Sequence, residues 1–100
     1  MEITLNDEQA ALLVAVDEGR VTNDPRFTLP DFETDPGPPA CQKRATRRLA
    51  PLKQWRLVEL DEDSEPDRYG VRRYRLTGLG ERVLAEIHEQ EAASRTSRVA

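Results

Sequence analysis

Between Ala40 and Val58 the chain carries six Lys or Arg (Lys43, Arg44, Arg47, Arg48, Lys53 and Arg56) and no Asp or Glu, although its formal net charge is −4. A cationic run of this kind suits recognition of anions, above all the oxygens and base edges of a nucleic acid. An arginine can bridge O6 and N7 of guanine, a glutamine can pair with adenine, and a threonine can meet a thymine methyl group or a phosphate. The side chains expected to face bases are Lys43, Arg44, Thr46 and Arg47, with Gln42 at the edge of the same surface. A solvated charged face would have a similar composition. What separates the two is that acids are excluded from this segment while they crowd the one that follows it.

A second group of cations, Arg68, Arg72, Arg73 and Arg75, together with Arg48, suits the sugar–phosphate backbone or a minor groove. It is set among Glu59, Asp61, Glu62, Asp63, Glu65 and Asp67, which would repel a duplex unless they turn away or the arginines neutralise them. No catalytic grouping accompanies these residues. The chain has one His (His88), one Cys (Cys41), no Gly-rich phosphate loop, and carboxylates scattered through surface-like positions, so neither an enzyme nor a cofactor or metal site is expected. Cys41 is expected to be a small buried hydrophobe, with a redox switch as the sharper alternative.

The elements that must position these residues follow from periodicity and punctuation. At 100° per residue Cys41, Ala45, Leu49, Leu52 and Trp55 share one face and Lys43, Thr46, Arg47 and Gln54 the opposite one, which predicts an amphipathic helix over 39–54, kinked by Pro51. Before it, Asn6 and Gln9 have capping-box spacing and Gly19 is a helix stop, which predicts a first helix over 7–18. Its unbroken apolar run Ala10–Val16 is wider than one stripe, so a dimer partner could cover the outer side, or its alanines could simply be good helix formers.

Prolines 25, 30, 36, 38 and 39 exclude a long helix between residues 21 and 39. A short helix over 30–34, with Phe27, Leu29 and Phe32 inward, or an ordered loop is expected there, and Pro38 and Pro39 would open the basic helix. Residues 56–62 and 70–77 read as two strands of a hairpin, with Tyr74 and Leu76 inward and Arg73 and Arg75 outward. Thr77 caps a final helix ending near Gln90.

One hundred residues with 37% hydrophobic content make one domain, 1–90, followed by a tail, 91–100, expected to be disordered. No apolar run approaches a membrane span and no signal peptide is evident, so the expected location is cytoplasmic.

The run Leu49, Leu52, Leu57, Val58, followed by Tyr74-Arg75-Leu76-Thr77 and Gly80-Glu81, resembles the L-x-x-L-x-x-x-x-L-V … Y-x-L-T-x-x-G pattern of bacterial winged helix-turn-helix regulators of the MarR-like and PadR-like kind. The resemblance spans roughly residues 5–90 and is tightest over 49–81. It implies an α+β fold: a three-helix core with one helix short or broken, a β-hairpin wing over 56–77, and a C-terminal helix. It also implies a small transcriptional regulator, a repressor that binds double-stranded DNA as a homodimer through the first and last helices. Two departures stand out. Arg56 occupies the place of a turn glycine, and the Pro-rich segment stands where helix two belongs. No small-molecule effector site is evident. The alternatives are a winged-helix module docking an acidic protein, and an architectural or recombination accessory factor of a mobile element.

Overall fold

The first helix is set by its ends. In the computed structural model, which describes residues 4–97 (with side chains described to residue 92), α1 spans Asp7–Asp17. Asn6 Oδ1 accepts from the Gln9 amide at 2.8 Å and Gln9 Oε1 accepts from the Asn6 amide at 3.0 Å, so the expected capping box forms. At the other end Gly19 takes φ 75°, and the amides of Gly19 and Arg20 bond back to the carbonyls of Val16 and Ala15, closing a Schellman turn. Leu12, Leu13, Ala15 and Val16 are buried, while Ala11 is exposed.

Five short strands follow in an antiparallel sheet of order β3-β2-β1-β5-β4: β1 (Val21–Asn23), β2 (Asp31–Thr34), β3 (Gln42–Arg44), β4 (Val58–Leu60) and β5 (Arg72–Leu76). Two expectations are corrected here. Residues 31–34, expected as a short helix or loop, form β2, paired Val21↔Glu33, Thr22↔Phe32 and Asn23↔Asp31. Residues 42–44, expected as helical, form β3, paired Phe32↔Arg44, Glu33↔Lys43 and Thr34↔Gln42. The physical reason is shared. Pro36, Pro38 and Pro39 make a turn that no helix can cross, and the flanking backbone satisfies its donors by extending the sheet. Extended backbone also turns Asp31 and Glu33 inward, where each finds polar partners. Phe27, expected inward, is 49% exposed and leans edge-on against Phe32 at 5.2 Å.

The basic helix is therefore shorter than its periodicity suggests: α2 spans Thr46–Gln54, with Pro51 inside it. Leu49 and Leu52 are fully buried, as expected, whereas Cys41 lies exposed before β3 rather than in the core. The helix ends in a second Schellman turn: Arg56, at φ 58°, donates to the Lys53 carbonyl at 3.0 Å and Leu57 to that of Leu52 at 2.9 Å. The positive φ that a glycine would take easily is borne here by an arginine.

The hairpin of β4 and β5 forms as expected, in the register Val58↔Leu76, Glu59↔Arg75 and Leu60↔Tyr74. Thr77 then caps α3 (Gly78–Ser97), its Oγ1 accepting from the Gly80 amide at 3.0 Å. Gly80 lies against the Leu57 carbonyl, so the T-x-x-G spacing is the contact between α3 and the α2–β4 turn. The helix runs past its expected stop near Gln90 to Ser97. The stretch expected as a disordered tail is thus helical over 91–97, and residues 98–100 lie outside the described residues, as do Met1–Ile3 of the expected N-terminal lead-in. One core holds the elements together: Leu12, Leu13 and Val16 of α1, Val21, Leu49, Leu52, Leu57, Val58, Tyr74, Val83 and Leu84, with Leu5, Trp55 and Ile87 packed on its rim. Among the described residues no helix is long and apolar enough to cross a membrane.

Candidate nucleic-acid interface

Strands β1, β3 and β4 run in the same direction through antiparallel neighbours, so their C-terminal ends meet at one end of the sheet. The β1–β2 loop, the start of α2 and the tip of the β4–β5 hairpin therefore share that end. The α2 start stands at the β3 edge and the hairpin tip at the β4 edge.

At the β3 edge, three links join β2 to α2. The Ala45 amide donates to the Asp31 carbonyl at 2.8 Å, the Asp31 amide donates to Thr46 Oγ1 at 3.0 Å, and Arg48 Nη1 donates to Glu33 Oε1 at 2.7 Å. Glu33 is buried and also pairs with Arg20 at 3.4 Å. Arg48 is thus half-buried and committed to an internal pair, and its second link is to the Arg44 carbonyl at 3.0 Å. Of the two roles open to a long cation beside the apolar face, a phosphate contact or a pair with an acid of another element, Arg48 takes the pair, with an acid on β2 rather than on a helix.

The remaining residues of the expected reading surface divide. Gln42, Lys43 and Arg44 are exposed on β3, not on the helix, so Lys43 and Arg47 do not stand one helical turn apart. Lys43 also reaches Asp35 at 3.5 Å, a solvent-exposed pair of small energetic weight. Arg44 and Arg47 are exposed with no carboxylate within 4.0 Å among the described residues, and Thr46 is half-buried between them. Two more exposed cations continue the line: Lys53, whose Nζ is 5.7 Å from the Tyr74 ring centroid, and Arg56 beyond the helix end. On α2 itself the outward side chains include Arg47, Ala50 and Gln54, spaced i, i+3 and i+7 on one face. Ala50, Lys53, Gln54 and Arg56 were absent from the expected site. The 100° periodicity that put Gln54 opposite the apolar face was the signal that could have included it.

The hairpin arginines fare differently. Arg75 is held by Glu59 at 3.0 Å, Asp61 at 3.2 Å and Asp63 at 2.6 Å; the hydrogen bonds to Asp63 and Glu59 hold its guanidinium still more firmly protonated. Asp61, bonded by Ser64 and facing Arg75, is held below the usual carboxylate range. Arg72 donates to the backbone carbonyls of Asp61 and Ser64. Both are engaged within the hairpin, so that Arg75 meets the hairpin acids as one of the two expectations for them had it, and neither is free for a phosphate as the expected backbone contacts would be. Arg73 is exposed, with no carboxylate partner among the described residues. Arg68 lies 5.2 Å from the Tyr69 ring centroid, which Arg26 covers at 4.1 Å while bonded twice to Asp24. The bond from Arg26 depresses the Asp24 pKa, and the same guanidinium, stacked on Tyr69, links the β1–β2 loop to the hairpin tip.

Beneath this end lies a polar cluster that the sequence did not announce. Asp31 is 1% exposed; its Oδ1 accepts from the Tyr74 hydroxyl at 2.5 Å and from Asn23 at 3.0 Å, and its Oδ2 has no partner. Burial, reinforced by the bond to Asp31, raises the Tyr74 phenol above its ordinary pKa.

Comparison with known proteins found no matching family model, curated protein or solved structure.

Proposed function

We propose that this chain is a winged-helix domain, its second helix replaced by the β2–β3 hairpin, that binds double-stranded DNA through α2 and acts as a small transcriptional regulator of the repressor type. The observation that carries this reading is the set of exposed cations Arg44, Arg47, Lys53 and Arg56, without carboxylate partners among the described residues, on the acid-free helix α2 and just beyond its two ends. Ala50 is small enough to let the helix enter a major groove, Gln54 can pair with adenine, and the cations at both ends meet phosphates.

The β4–β5 hairpin does not share the task as the sequence suggested, since Arg72 and Arg75 are internally engaged and Glu62, Asp63, Glu65 and Asp67 are exposed at its tip. That acidic tip is the observation favouring the second reading, a module that docks a protein partner.

Fluorescence anisotropy with a random duplex at low and moderate salt tests the proposal. Binding at low salt is expected, with log K falling against log salt at a slope of about −3 per protomer for three or four phosphates. Selection from a random pool then reveals a sequence preference that Gln54→Ala relaxes. Absence of binding at low salt overturns the reading in favour of the protein-docking one. Binding without preference supports an architectural factor instead. Sedimentation of the free and bound protein decides between a homodimer and a monomer.

A further inference from the structure

The cleft at the start of α2, about 340 Å³ in volume, is lined by Leu29, Arg44, Thr46, Arg47 and Arg48. Three arginines are among the residues that line this one cavity, and no carboxylate residue is. Arg44 and Arg47 have no carboxylate partner among the described residues, while the third, Arg48, is fixed in direction by Glu33 at 2.7 Å and by the Arg44 carbonyl at 3.0 Å. The Thr46 hydroxyl oxygen already accepts from the Asp31 amide at 3.0 Å, so its own hydrogen is left to donate elsewhere. Ala45 supplies no side-chain cap. The walls thus offer donors in excess and no anionic acceptor, which is the inverse of an ordinary surface cleft, where arginines meet carboxylates.

From this donor excess we infer that the cleft is an oxyanion site that holds a single phosphate group. Arg44 and Arg47 contribute their paired N–H donors to its oxygens, Thr46 contributes a hydroxyl donor, and Leu29 forms the apolar wall that shields one side from water. The fixed guanidinium of Arg48 sets the electrostatic floor. The phosphate has two sources of the same chemistry: the backbone of a nucleic acid, in which case the inference rests on the function proposed above, or a free phosphorylated small molecule, in which case it does not.

The experiment uses the full chain and the double variant Arg44→Gln/Arg47→Gln; both positions are exposed and unpaired, so melting temperature and amide dispersion should be retained. In the first arm, inorganic phosphate is titrated against chloride at matched ionic strength and followed by ¹H–¹⁵N spectra. Saturating shifts confined to the amides of Thr46, Arg47 and Arg48 and the side chains of Arg44 and Arg47, lost in the variant, establish capture of free phosphate. In the second arm, the salt dependence of duplex affinity is compared for the two proteins. One shared phosphate reduces the slope by about 0.9, whereas two arginines on separate phosphates reduce it by about 1.8.

Either positive result supports the site. It is overturned when phosphate shifts nothing beyond what chloride does and the slope is unchanged or falls by about 1.8. Duplex binding with both arms negative removes the cleft and leaves the proposed function standing. Phosphate capture without duplex binding does the reverse.

Discussion

Replacing Gly80 with alanine tests whether α3 is seated where the structure puts it. A Cβ on Gly80 would stand 3.0 Å from the Leu57 carbonyl carbon and closer still to its oxygen, and both belong to backbone that cannot rotate away. The same oxygen accepts from the Thr77 amide at 3.0 Å, and the Gly80 amide donates to Thr77 Oγ1 at 3.0 Å, so moving α3 to make room also strains its N-cap. Overpacking against a fixed group costs about 1–3 kcal/mol, and weakening these bonds adds about 1 kcal/mol. Against this, alanine gains about 1 kcal/mol in helix propensity over glycine. The net loss is about 1–3 kcal/mol, or roughly 4–24 °C in Tm for a domain of this size. Gly78→Ala is the matched control: it stands two positions earlier in the same helix with nothing within 4 Å, and should be neutral or stabilising by up to about 1 kcal/mol. Thermal and urea unfolding followed by circular dichroism decide it. Gly80→Ala within about 0.5 kcal/mol of wild type, or an equal loss from Gly78→Ala, refutes the contact.

Tyr74→Phe removes the donor to buried Asp31 and should cost about 2 kcal/mol in urea unfolding. The folded-state pKa of Tyr74 is raised from 10.0, so the stability it contributes is present below that pH and is lost as pH rises further; wild type should weaken above about pH 10 with a slope that Tyr74→Phe reduces. Arg75→Gln should weaken duplex binding less than Arg44→Gln does, because three carboxylates already hold Arg75; the reverse order in anisotropy titrations would return the hairpin to the interface. At Arg56, φ 58° costs roughly 1–2 kcal/mol, and glycine relieves it at a loss of roughly 0.4–1 kcal/mol in chain entropy. Arg56→Gly should therefore leave Tm unchanged or raise it by several degrees while Arg56→Val lowers it, as differential scanning calorimetry would show.

The parts of the fold that local chemistry dictates were legible in the sequence. The Asn6–Gln9 box, the Gly19 stop, the Thr77 cap and the inward Tyr74 each depend on residues within one or two turns or on strand alternation, and each forms. The region 31–44 was not legible, because its structure is decided by partners distant in sequence. Asp31 and Glu33 break the rule that polar residues lie outside, and they do so because Tyr74, Asn23, Arg20 and Arg48 wait for them across the sheet and on α2. Helical periodicity over 39–54 was real as a pattern, but Pro38 and Pro39 stand in the turn that leads into β3 rather than at a helix start, and only its second half from Thr46 is helical. The charge island was legible as composition. Which of its members are free was not, since that depends on where the acids of other segments fall.

The β2–β3 hairpin explains how a helix of nine residues, with a proline inside it and no side-chain cap, can present a defined surface. Such a segment is too short to hold its own shape in water. Here its start is tied to β2 by the Ala45–Asp31 and Asp31–Thr46 hydrogen bonds and the Arg48–Glu33 ion pair, its middle is fixed by buried Leu49 and Leu52, and its end is closed by the Arg56 turn. The hairpin thereby positions the start of α2. Two groups of acids are drawn to other cations: Glu33 is consumed in orienting Arg48, and Glu59, Asp61 and Asp63 gather around Arg75 on the β4–β5 hairpin. A chain with more acids than bases can therefore keep one cationic edge, and it is the extra hairpin that holds this edge in place.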